Sequence, residues 1–255
     1  MILTIDVGNT NVVFGVYEND KLCHVARFSS SLDRTSDEFA VLIKSFFDIH
    51  DVKIADIEGS IISSVVPPIT GTLVSAIQLL TEKKPFVVGP GMKTGINILI
   101  DNPAQLGSDL LVDSVAAYAK YPGPVIVIDM GTATTISVVT ENAAMIGGAI
   151  LPGVKISLDA LSARAAQLPG IAFAAPKKAI GTNTGDCMQS GIVFGNACML
   201  DGMIARFEEE LGKHCTVVAT GGLSREICRH TKRDIIYDEH LLLDGLYILY
   251  KKNAQ

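Results

Sequence analysis

Apolar residues fall in short runs along this chain, and the spacing of those runs passes through the same order twice. Runs at 2–7, 11–18 and 21–29, with Glu18-Asn19-Asp20 as a turn, predict a meander of three strands. Residues 36–50 carry Phe39, Leu42, Ile43 and Phe46 on one face, with Asp37 and Glu38 near the start, the pattern of an amphipathic helix. The run 57–66, stopped by Pro67-Pro68, predicts a buried strand. A helix to about residue 80, a short strand at 85–88 and a helix over 104–120 complete the first set. Beyond Tyr121-Pro122-Gly123-Pro124, strands are expected at 124–129, 133–140 and 144–151, with Glu141-Asn142 as a turn. Helices at 153–166 and 184–211, a strand at 216–219, a helix from about Ser224, a strand at about 233–236 and a helix at 240–251 follow. The pattern predicts a duplicated α/β unit, with domains 1–121 and 122–255 and a ligand at the strand ends in the crevice between them.

The first strand of each half delivers the same small motif. The first reads Asp6-Val-Gly8-Asn9-Thr10-Asn11 and the second Asp129-Met-Gly131-Thr132-Ala-Thr134-Thr135. Gly lets the backbone approach a phosphate, and Thr and Asn bring neutral donors. The Asp can hold a divalent metal directly or through water. Either motif alone is also an ordinary hairpin; two of them suit a nucleoside triphosphate gripped from both sides.

Further glycines carry two readings each. Thr220-Gly221-Gly222 lies between a strand and a helix, where backbone can approach an adenine or its ribose, although such turns favour Gly without any ligand. Gly107-Ser108-Asp109 opens a helix. Its carboxylate either caps that helix or, beside a nucleotide, accepts the proton of an attacking hydroxyl. Gly89-Pro-Gly91-Met-Lys-Thr-Gly95 lacks the contiguous Gly-Lys-Thr of a phosphate loop and the spacing of a dinucleotide fingerprint, so it is expected to be a structural loop. Gly191, Gly195 and Gly202, interleaved with Met188, Met199 and Met203, form a small-residue stripe on the long helix. That stripe suits either packing inside the chain or the seam of a homodimer, and the length of the helix favours the seam.

Composition narrows the partners. Hydrophobic content of 48% with 19% charged residues is ample for a core, and a net charge of −6 argues against nonspecific nucleic-acid or anionic-membrane binding. The first apolar run is short and carries Asp6, unlike a secretory leader, and no run reaches the ~18 apolar residues of a membrane span. The five cysteines (23, 187, 198, 215, 228) form no Cys-x-x-Cys and no Cys/His ligand set. They are expected to be reduced and mostly buried, in a cytoplasmic protein.

Taken together, the motifs resemble the type III pantothenate kinase family of the acetate and sugar kinase/Hsp70/actin superfamily. The resemblance runs through Asp6-Val-Gly-Asn-Thr-Asn11, Ser63-Ser-Val-Val-Pro67, Val88-Gly-Pro-Gly-x-Lys-Thr-Gly95 and Asp129-x-Gly-Thr-Ala-Thr-Thr135. It continues through Gly147-Gly-x-Ile-x-Pro-Gly153, Ala165-x-x-Leu-Pro169, Asn183-Thr184, Met188-Gln-Ser-Gly191 and Thr220-Gly-Gly222. It implies two duplicated ribonuclease H-like (actin-like ATPase) domains with a cleft between them. It also implies ATP-dependent phosphorylation of pantothenate, the first step of coenzyme A synthesis, with Mg²⁺, a monovalent cation (K⁺ or NH₄⁺) and a homodimer. By position it assigns Asp6 to Mg²⁺ and phosphate and Asp109 to the general base. Asp129 falls to the monovalent cation, and Gly107, Ser108 and Thr184 to the pantothenate end. Gly8, Asn9, Thr10, Asn11, Gly131, Thr132, Thr134, Gly221 and Gly222 fall to ATP.

The acceptor end departs from the family pattern. The usual segment is Tyr-x-Asn-Pro-x-x-Val-Gly-Ala-Asp-Arg-x-x-Asn, where this chain has Ile100, Ser108, Leu110 and Asp113, and it has Thr182 where the family often has Lys. Leu cannot pair with a carboxylate as Arg does. The resemblance therefore leaves three readings: a pantothenate kinase with substituted acceptor contacts, a kinase for another small hydroxyl compound, and a nucleotide-binding accessory protein that has lost the transfer.

Overall fold

The computed structural model describes residues 1–165 and 168–254. Strands β1 (Ile2–Val7), β2 (Asn11–Glu18) and β3 (Lys21–Ser29) form the expected antiparallel meander. Strand β4 (Gly59–Ser64) joins β1 in parallel and β5 (Phe86–Val87) joins β4, giving the order β3-β2-β1-β4-β5. The second sheet holds β7 (Val125–Met130), β8 (Ala133–Val139), β9 (Ala144–Pro152), β10 (Thr216–Thr220) and β11 (Ile236–Tyr237) in the matching order β9-β8-β7-β10-β11. One extra two-residue strand, β6 (Asn97–Ile98), lies outside β9. The fold is α/β with two sheets of one topology, the duplication that the repeated pattern predicts.

The helices are α1 (Ser36–Ile49), α2 (Pro67–Thr81), α3 (Ser108–Lys120), α4 (Val154–Arg164), α5 (Thr184–Leu211), α6 (Ser224–Cys228) and α7 (Leu241–Asn253). On one face of the first sheet Leu3, Ile5 and Val7 meet Phe39, Ile43 and Phe47 of α1 and Ile69, Leu73 and Ile77 of α2. Helix α7 also packs on β1 and β4. Bare Gly15 there meets Leu243, and bare Gly59 meets the Tyr250 ring. A strand covered on both faces need not alternate, which is why β1 and β4 are buried at nearly every position. In the second sheet Ile126, Ile128 and Met130 pack with Val154 of α4 and Val193, Ala197, Leu200 and Ile204 of α5.

Two compact units result. The first joins Met1–Gly95 and Asn102–Ala116 with the segment from His240 onward; the second joins Ile96–Asp101 and Ala117–Glu239. They differ from contiguous halves at 1–121 and 122–255 in that α7 belongs with the first sheet and β6 with the second. The expected helix 104–120 begins only at Ser108, because Pro103–Gln105 form a separate 3-10 turn ahead of Gly107. The expected helix 153–166 is described as far as Arg164, and residues 166–167, inside the Ala165-x-x-Leu-Pro169 motif, lie outside the described residues. The expectation of mostly buried cysteines is corrected: Cys23, Cys187 and Cys198 are exposed, because they sit on outward faces of β3 and α5. Among the described residues no helix is long and apolar enough to cross a membrane.

Candidate active site

The first unit assembles its candidate residues at the ends of β1 and β4 and the start of α3. Asp6 is half-buried, opposite Val13 on β2 and beside Ser63 on β4. The turn after it is tight: the Gly8 N–H donates to the Asn11 carbonyl at 2.9 Å. Ser30 fastens the turn, its N–H donating to the Thr10 carbonyl at 2.9 Å and its hydroxyl to the Gly8 carbonyl at 2.6 Å. Those carbonyls are thereby paired, and Asn9 and Thr10 are exposed at the tip. That is the arrangement a phosphate-binding turn needs, with backbone acceptors paired and neutral donors outward.

Asp109 stands in the first turn of α3. The Leu110 N–H donates to its Oδ1 at 2.8 Å, and the carboxylate lies so close to Gly107 that a Cβ there would collide with it. Burial pushes the Asp109 carboxyl above its ordinary range, opposed by the hydrogen bond from Leu110. A half-buried carboxyl with a raised pKa is suited to taking a proton. Ser108 faces the strand instead. Its hydroxyl accepts from the Ser63 hydroxyl at 3.0 Å and the Ser64 N–H at 3.1 Å, and it donates to the Ser64 carbonyl at 3.0 Å. The Asp6 strand and the Asp109 helix are thus joined through Ser63 and Ser108.

The second unit gathers Asp129, Gly131, Thr132, Gly221 and Gly222 at the ends of β7 and β10. Asp129 pairs with Thr135 across and Thr220 alongside. Gly221 has φ +95°, and a Cβ on it would lie 2.7 Å from the Met130 carbonyl oxygen and 2.8 Å from Asp129 Oδ1. These two oxygens therefore converge on one bare glycine. Gly153, the N-cap of α4, lies against the Gly131 and Thr132 carbonyls so closely that no side chain fits there. Thr134 pairs with Met130 at the same strand ends and is fully buried, and its hydroxyl has no hydrogen-bond partner among the described residues. Thr184 is exposed in the first turn of α5, whose N-cap Asn183 accepts from the Asp186 N–H at 2.9 Å. Beside it, Ser157, Leu161, Cys187, Met188, Gly191 and Ile192 line an open groove of about 460 Å³ between α4 and α5.

Sequence reasoning gave Ser30 no role, because a serine run after a strand reads as generic loop. Ser63 and Gly153 fell within recognised motifs without a role, since nothing local shows which backbone a hydroxyl or a bare Cα will meet.

Similarity to known proteins extends over the whole chain. The family model described as type III pantothenate kinase matches residues 2–206. A type III pantothenate kinase of an Exiguobacterium species is 46% identical over 255 residues and covers 100% of each chain. That of Halalkalibacterium halodurans is 44% identical over 254 residues, again covering 100% of each. Among solved structures, the activator of the 2-hydroxyisocaproyl-CoA dehydratase from Clostridium difficile with bound ADPNP has a TM-score of 0.59 at 10% identity, covering 99% of this chain and 96% of that one, a likeness of fold alone. With full-length relatives at this identity and a family model spanning most of its residues, the chain belongs to the type III pantothenate kinase family.

Proposed function

We propose that, in the phosphorylation of pantothenate by ATP that this kinase family carries out, Asp109 is the general base. The pantothenate hydroxyl gives its proton to the Asp109 carboxylate as its oxygen bonds to the γ-phosphorus, and the bond from that phosphorus to the β-bridging oxygen breaks to release ADP. The observation that carries this assignment is the placement of Asp109: half-buried, held by the Leu110 N–H over bare Gly107, and joined through Ser108 and Ser63 to the strand bearing Asp6.

Among the described residues no cluster of three or more His, Cys, Asp or Glu is placed to hold a metal. Mg²⁺ on a nucleotide commonly takes only one or two carboxylates, with phosphate oxygens completing its shell, so Asp6 alone fits that role. Bound there, Mg²⁺ would neutralise phosphate charge. The Asp129 Oδ1 and Met130 carbonyl oxygen that converge beside Gly221 suit a monovalent cation, K⁺ or NH₄⁺. Gly8 to Asn11, Gly131, Thr132 and the Gly221-Gly222 turn would contact ATP; Gly107 and Thr184 would lie toward pantothenate. The chain would act as a homodimer through α5, where Gly191, Gly195 and Gly202 are exposed with open space over each. Exposed free thiols at 23, 187 and 198 suit the reducing cytoplasm.

Asp109→Asn should lower kcat by roughly 10²–10⁴-fold, the usual worth of acid–base help, when phosphopantothenate is detected directly. Full activity in that variant would remove the assignment.

A further inference from the structure

We propose that the Ser108 hydroxyl is a positioning group, fastening the first turn of α3 to the end of β4 and so setting where the Asp109 carboxyl stands. The inference rests on Asp109 being the base. A serine hydroxyl has one donor and two acceptor sites. All are committed here: Ser108 donates to the Ser64 carbonyl and accepts from the Ser63 hydroxyl and the Ser64 N–H, all within 3.0–3.1 Å. Nothing remains for a substrate, so Ser108 serves the protein's own geometry.

The far end of the link is firm. Ser63 has no solvent exposure and stands in register with Asp6. The Ser64 hydroxyl accepts from the Val66 N–H at 3.1 Å and from the Thr70 hydroxyl at 2.7 Å, which ties the end of β4 to the first turn of α2. The near end is Asp109 itself, the next residue, with its carboxylate folded over Gly107 on the other side of Ser108. Residues 107 to 109 thus form one small device: a bare Cα that makes room, a hydroxyl that anchors, and the carboxyl that is positioned. An Ala at this position, as in the family segment that the chain resembles, would make no such bonds. A displacement of about 1 Å at a reacting group can cost on the order of 10²-fold in rate, so loss of the anchor should be visible in kcat.

The test is a double-mutant cycle on the full-length enzyme. Ser108→Ala is made in the native and in the Asp109→Asn background, with kcat, KM for ATP and KM for pantothenate measured in each and a thermal melt for every variant. Ser108→Ala should lower kcat roughly tenfold and leave KM for ATP within about twofold. In the Asp109→Asn background the same change should cost nothing further, because a group that acts only through Asp109 has nothing left to position. A tenfold loss repeated on top of Asp109→Asn overturns the inference, as does an unchanged kcat in Ser108→Ala. Should Ser108→Ala fold poorly, Ser63→Ala removes one bond of the anchor and should show a smaller loss with the same non-additivity; additivity there overturns the inference equally. Full activity of Asp109→Asn instead sinks the base assignment, and the single variant reveals that separately.

Discussion

Gly221 shows how narrowly single residues are constrained. Its φ of +95° is a conformation that L side chains rarely adopt, and a Cβ would press on the Met130 carbonyl oxygen and the Asp129 carboxylate. Gly221→Ala should therefore lose about 1–3 kcal/mol of stability by denaturant titration and most of the activity, since the two oxygens must part. Asp109 sets a different constraint. Burial raises its folded-state pKa, so between the ordinary and the raised value the folded chain holds a proton that the unfolded chain has lost. Its contribution to stability is present below that window and lost as pH rises through it. The Asp109→Asn variant should then be at least as stable as the native protein at neutral pH, and native kcat should fall on the acid side at a pH above the ordinary aspartate range. By the resemblance, Leu110 takes the place of a family Arg. Leu110→Arg should tighten pantothenate binding by about 30-fold or more, the worth of a charge-assisted contact, measured by calorimetry; unimproved binding would show that the carboxylate is held elsewhere. Asp6 and Asp129 were legible in the sequence because strand, Asp and Gly recur with one spacing. Ser30 and the anchoring use of Ser108 were not, because a hydroxyl's partner is set by tertiary placement rather than by its neighbours in sequence.

Among the elements, the strands of both meanders were legible almost to the residue, since their apolar or alternating runs end at polar turns such as Asn19-Asp20, where both residues have positive φ. The start of α3 was not. Residues 104–106 carry no strong breaker, and the separate 3-10 turn at Pro103–Gln105 together with the Ser108 bonds to β4 fixes where the helix begins. The two-residue strand β6 gives no periodic signal and exists by pairing with β9. The partner of α7 was also hidden, because its apolar face does not say which sheet it covers. Two glycines supply the answer: Gly59 on β4 receives the Tyr250 ring, and Gly245 of α7 lies against the Val112 backbone of α3. Gly59→Val should push Tyr250 and α7 off β4. A loss of about 1–3 kcal/mol, the usual cost of overpacking, is expected in thermal melts, and Tyr250→Ala in the same chain should recover part of it. An unaffected melting temperature for Gly59→Val would mean that α7 contributes little to the first sheet.

At the scale of the whole molecule, the duplication was legible because both sheets follow one strand order, and the family followed from motifs spread along the chain. Assembly is less legible, since a stripe of small residues on a helix reads alike whether it packs within a chain or between two. The folded chain narrows this. Gly191, Gly195 and Gly202 are exposed on α5, and a Cβ built on any of them meets nothing within 4 Å. The opposite side of the same helix is filled by Val193, Ala197, Leu200 and Ile204, away from the three glycines. Gly in a helix interior costs about 1 kcal/mol relative to Ala, a cost that close approach of a second backbone would offset. Gly195→Arg has room within the chain and should leave the melting curve of the protomer intact or slightly raised, while two such side chains facing each other across a twofold seam would clash and repel. Sedimentation at micromolar concentration should show a dimer for the native protein and a monomer for Gly195→Arg. If pantothenate is bound near Thr184 across that seam, the monomer should also lose pantothenate affinity while keeping ATP affinity. A Gly195→Arg variant that stays dimeric would place the seam on another face.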